Sequence, residues 1–147
     1  MHPNPRAILL VEDNPHDVKL TLRAFSKCRV ANELVVVEDG QQAMEYLLAT
    51  GEYSGRDPSN LPALILLDLK LPKIDGLEVL RRIRADSRIK HVPVVILTSS
   101  TEESDIVGGY EAGTNSYIRK PVDFEQFVST VADLGLYWLV LNEAPPR

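Results

Sequence analysis

The stretch Ala63-Leu64-Ile65-Leu66-Leu67-Asp68-Leu69-Lys70-Leu71-Pro72-Lys73-Ile74-Asp75-Gly76 passes from an apolar run to a carboxylate and then into a turn. A short apolar run without alternation is the pattern of a strand covered on both faces, as strands of a parallel sheet are. Pro72 and Gly76 punctuate the segment after Asp68. Gly76, Val79, Leu80 and Ile83 then recur at i, i+3, i+4 and i+7, so the turn leads into a helix with one buried stripe. Arg81, Arg82 and Arg84 read as the solvated face of that helix.

The same unit repeats on either side. Apolar runs at 7–11, 34–37 and 94–97, and a weaker one at 116–118, are each followed by a stretch with helical spacing. Asn14-Pro15 reads as an N-cap with Pro at the first helical position, ahead of Val18, Leu22 and Phe25. Ala43 and Leu47 support a helix after Gly40. A poorer helix over 101–112, loosened by Gly108-Gly109, stops at Gly113, and Phe124, Phe127, Val128 and Val131 begin the last one. Residues 51–62 form a polar loop expected on the surface. Five βα units predict a doubly wound α/β fold, a five-stranded parallel sheet with helices on both faces.

Ligands bind such sheets at the carboxyl ends of the strands, where strand order switches. Glu12 and Asp13 follow the first run, Asp68 the third, Thr98 the fourth and Lys120 the fifth. Packed carboxylates repel, so they call for a cation or protons. Hard oxygen donors without His or thiolate favour Mg²⁺, with Mn²⁺ as a substitute. A hydroxyl and an ammonium opposite would hold the remaining oxygens of a phosphoryl group. Asp68, ending the most apolar run, is the candidate nucleophile, able to form an acyl phosphate.

Composition agrees with a globular domain: 147 residues, 44% hydrophobic and 25% charged. The net charge of −5 argues against nucleic-acid binding through a basic footprint. One cysteine, Cys28, excludes an internal disulfide, fits a reducing cytoplasm, and reads as a partly buried, inert thiol. No apolar run suits a signal peptide or membrane span, and a second, effector-sized domain is not expected. His16 reads as a surface histidine in the first helical turn.

Val11-Glu12-Asp13-Asn14, Leu67-Asp68-Leu69-Lys70-Leu71-Pro72 with Asp75-Gly76, Leu97-Thr98-Ser99, and Tyr117-Ile118-Arg119-Lys120-Pro121 together resemble the receiver domain of two-component response regulators over about residues 6–135. The resemblance implies a flavodoxin-like, CheY-like fold and phosphorylation of Asp68 by a histidine kinase. It implies Mg²⁺ held by Asp13, Asp68 and the Lys70 carbonyl, with Glu12 acting through a water. Thr98 and Lys120 would contact the phosphoryl oxygens, and Thr98 and Tyr117 would form the switch. Lys70 and Ser100 would tune hydrolysis of the acyl phosphate.

The long loop at 51–62, the Leu-Pro-Lys-Ile-Asp-Gly turn and an apolar tail at 136–141 look like the small stand-alone regulators paired with bacterial phytochrome kinases. The tail, within a C-terminal extension over 136–147, is apolar all the way round, unlike a surface helix with one stripe. Homodimerisation through the last helix and Tyr137, Trp138, Leu139 and Leu141 is therefore expected. A phosphorylation-independent adaptor would lack part of the acidic set. An aspartyl phosphatase would carry an acid two residues after its nucleophile, where this chain has Lys70.

Overall fold

The structure, a computed structural model, describes residues 6–98, 108, 110–114, 116–119 and 124–134. Five strands, β1 (Ile8–Val11), β2 (Leu34–Val37), β3 (Leu64–Leu67), β4 (Val94–Thr98) and β5 (Ser116–Arg119), form one sheet in the order β2-β1-β3-β4-β5. Every neighbouring pair runs parallel. The helices described are α1 (Pro15–Lys27), α2 (Gly40–Leu48), α3 (Gly76–Ala85) and α4 (Phe124–Leu134). The helix expected over 101–112 lies largely outside the described residues. Its end is visible: Ala112 N–H donates to Gly108 O at 2.9 Å, and Gly113 follows at φ +98° as the expected stop.

The continuous apolar runs are explained by which face each residue takes. Leu9 and Val11, Ile65 and Leu67, and Val94 and Ile96 pack in one core beneath α2 and α3. Their alternates Ile8, Leu10, Leu64, Leu66, Val95 and Leu97 pack in a second core with Phe25 of α1 and Phe127 of α4. Both faces of the central strands are thus buried, and an alternating polar pattern would leave half of it without partners.

Local signals set the helix starts. Asn14 Oδ1 accepts from His16 N–H at 2.9 Å with Pro15 first in α1, and Asp75 Oδ1 accepts from Glu78 N–H at 3.0 Å at α3. In α3 the buried stripe is Gly76, Val79, Leu80 and Ile83, as the spacing predicts. Two expectations need correction. In α1 Leu22 stays exposed; Thr21, Ala24 and Phe25 are buried instead, and the Thr21 hydroxyl is satisfied by donating to Asp17 O at 2.8 Å. Arg84 is not on a solvated face: it donates to Gly113 O, Lys90 O and Val92 O at 2.7–2.9 Å, and burial lowers its pKa. Arg81 and Arg82 do remain exposed, beside Glu78.

The loop at 51–62 lies on the surface as expected, with Tyr53 and Arg56 packed against α2. A 3₁₀ turn at Gly51–Tyr53 places the Tyr53 ring edge-on to Tyr46, with centroids 5.2 Å apart. Arg56 stacks over the Tyr46 ring at 3.8 Å and donates to Tyr46 O and Asn60 O. Burial, and then the acids led by Glu52, push the Tyr53 hydroxyl pKa up.

Candidate functional site

β1 and β3 are neighbours in register, Val11 opposite Leu67, although a helix, a strand and another helix separate them in sequence. This is the point where strand order switches, and it brings Glu12-Asp13 beside Asp68. One carboxylate oxygen from each of Glu12, Asp13 and Asp68 lies within 4.8 Å of the other two. Glu12 and Asp68 are buried, whereas Asp13 is exposed.

The sheet fixes the backbones that carry these acids. Glu12 N–H donates to Val37 O at 3.0 Å, and Asp68 N–H donates to Val11 O at 3.1 Å. Two further amides point at the carboxylates: Asn14 N–H to Glu12 Oε2 and Lys70 N–H to Asp68 Oδ1, each at 3.3 Å. Like charges at such separations repel by about 3 kcal/mol per pair at an effective dielectric near 20, less at exposed Asp13. Two neutral amide donors offset part of that, and a divalent cation would reverse it. The donor set suits such an ion: three hard carboxylates, with no sulfur or imidazole among the cluster.

An open cleft of about 420 Å³ adjoins the cluster, lined by Asp13, Leu69, Lys70, Leu71, Pro72, Asp75 and Leu77. Gly76 sits between two of these residues, Asp75 and Leu77. A Cβ there would lie 2.2 Å from Asp68 O and 2.7 Å from Leu69 Cα, so only glycine lets α3 begin against the carboxylate's own backbone. Gly76 N–H also donates to Leu69 O at 3.0 Å, closing the turn.

The structure thus brings together Glu12, Asp13 and Asp68, with Lys70 exposed beside them. The backbone of Thr98 ends β4, the strand next to β3, and that of Tyr117 pairs with Ile96. The side chains of Thr98 and Tyr117 lie outside the described set, as do Ser100, Lys120, Tyr137, Trp138, Leu139 and Leu141. His16 is exposed, and Cys28 is partly buried with its thiol 3.4 Å from Val128 O. Sequence reasoning passed over Asp39, which caps α2 and pairs with Lys73 from the turn after Asp68. Its sequence signal was an acid directly before Gly40, where a helix begins.

A family model for the response regulator receiver domain matches residues 8–132. Among curated proteins, the chain is 42% identical to the probable methanogenesis regulatory protein FilR2 of Methanothrix harundinacea, over 97% of this chain and 89% of that one. It is 39% identical to response regulator Rcp1 of Synechocystis, over 92% and 90%. Among solved structures, Mn²⁺-bound Rcp1 superposes with a TM-score of 0.86 at 37% identity, covering 97% of this chain and 100% of that one. The phosphorylated cyanobacterial phytochrome response regulator RcpA gives 0.87 at 41%, covering 96% and 99%. The bacteriophytochrome response regulator AtBRR gives 0.78 at 55%, covering 96% and 100%.

Proposed function

The chain belongs to the receiver family of response regulators, and from that premise we propose that Asp68 is its phosphoacceptor. The observation that carries this reading is the convergence of Glu12, Asp13 and Asp68 within 4.8 Å beside an open cleft. A histidine kinase, of the phytochrome type on the strength of the likeness to RcpA and AtBRR, supplies the phosphoryl group. An Asp68 carboxylate oxygen attacks phosphorus, the donor's N–P bond breaks, and an acyl phosphate forms. Asp13, Asp68 and the Lys70 carbonyl would hold Mg²⁺ or Mn²⁺, with Glu12 acting through a water. Bound there, the cation neutralises charge that develops on the transferring oxygens.

The chain's own groups do the rest. The β-sheet holds Asp68 at the cleft, and the Lys70 amide steadies one of its oxygens. Thr98 and Lys120 grip the phosphoryl oxygens, and Tyr117 turns toward Thr98. The surface of β5 and α4 then favours its active form, because phosphate shifts the equilibrium only through that difference in affinity. Water resets the switch, at a rate set in part by Lys70 and Ser100. The chain acts as a cytoplasmic signalling protein whose own chemistry is limited to gaining and losing this phosphate. We assign it five βα units over 6–135. The extension at 136–147, with α4, forms a homodimer contact.

Phosphotransfer tests the assignment. With a phosphorylated phytochrome-type histidine kinase and Mg²⁺, label should pass to the unaltered chain and not to Asp68→Asn. Label that stays on the kinase in both cases would leave a phosphorylation-independent adaptor. Steady turnover of added phosphoesters would leave a phosphatase.

A further inference from the structure

The turn after Asp68 is anchored at both ends. On one side Leu69 is buried and its carbonyl accepts from Gly76 N–H at 3.0 Å. On the other, residues 72–74 lean on the start of α2, an element that contributes nothing to the acidic cluster. Lys73 Nζ lies 3.5 Å from Asp39 Oδ2, and Gly40 N–H meets Pro72 O at 3.5 Å. A Cβ on Gly40 would fall 2.1 Å from Ile74 O, so helix and turn are in direct backbone contact.

Asp39 is suited to this role. It is only 6% exposed, and its Oδ1 accepts from Gln42 N–H at 2.8 Å as the cap of α2. Its carboxylate is therefore held by the helix before it meets Lys73. Lys73 sits at φ +65°, left-handed backbone that a residue bearing a Cβ rarely adopts unless its surroundings impose it. The Lys70 carbonyl lies between the two anchors.

We propose that Asp39 and Gly40 form an abutment for the acceptor turn, with Lys73 as a positioning residue tethered to it. Cation affinity at the acidic site is thereby set in part by residues that never touch the ion. The inference rests on the reading of Glu12, Asp13 and Asp68 as a cation site.

Calorimetric titration with Mn²⁺ tests it, because simple electrostatics and the tether predict opposite signs at Lys73. Removing a nearby positive charge should by itself tighten cation binding. Losing the tether should weaken it. Lys73→Met is expected to bind Mn²⁺ roughly two- to fivefold more weakly, the scale of one partly exposed ion pair. Lys73→Arg should restore the unaltered affinity, and the metal-free melting temperature of Lys73→Met should fall by no more than about 4 °C, the share of one exposed ion pair. Equal or tighter binding by Lys73→Met, or equal weakening in Lys73→Arg, would each overturn the tether. If the unaltered protein takes up no Mn²⁺, the cation reading itself fails and the inference with it.

Discussion

Arg84 joins three segments through one side chain: α3, the loop after it, and the turn that precedes β5. Its guanidinium faces the carbonyls of Lys90, Val92 and Gly113, at 2.9, 2.7 and 2.8 Å. Hydrogen bonds from a charged donor contribute more than neutral ones, and removing the donor strands its acceptors. Arg84→Met should therefore cost about 2–3 kcal/mol, read as a lower urea midpoint with unchanged slope. A loss under about 0.5 kcal/mol, the ordinary size for a surface change, would show that water replaces the arginine freely. The apolar spacing of α3 located its buried stripe, yet it could not tell which arginine on the flanks meets a carbonyl from a distant turn. The acids were legible for the opposite reason. Glu12, Asp13 and Asp68 stand where apolar runs stop, and topology alone places such ends together.

At the scale of elements, the starts of α1 and α3 are written in the sequence and the helix flanks are less so. Asn14 caps α1 ahead of Pro15 as expected, and Asp75, read only as a turn residue, caps α3. Leu22 fooled the pattern because Thr21 can bury its hydroxyl by bonding back to Asp17 O, so a polar residue took a core position. The loop at 51–62 is on the surface, as its polar composition predicts; the stacking of Arg56 on Tyr46 was not legible there because it depends on α2, outside the loop. Gly76 is the element-scale position most tightly bound to function. Gly76→Ala puts a methyl group 2.2 Å from Asp68 O, and α3 must shift away from the acceptor. The expected cost is about 1–3 kcal/mol in thermal or urea unfolding. Phosphate uptake should fall further than stability alone accounts for. A variant with unaltered stability and uptake would contradict the close packing of α3 on the acceptor backbone.

For the whole molecule, the parallel sheet and its order β2-β1-β3-β4-β5 turn an acidic chain into a localised acidic site at one sheet edge. None of the described helices is long and apolar enough to cross a membrane. The sequence segment that argues for the proposed dimer is the apolar tail with Tyr137 and Trp138. Sedimentation at tens of micromolar should show a dimer, and a chain shortened after residue 135 should show a monomer; a monomer in both would contradict the dimer contact. In the proposed function, Asp68 is the single acceptor. Intact-mass measurement after incubation with a small phosphodonor and Mg²⁺ tests that most directly. The prediction is a gain of one phosphoryl group in the unaltered protein, absent from Asp68→Asn and suppressed when the cation is chelated. A gain that survives in Asp68→Asn, or no gain in either protein, would contradict it.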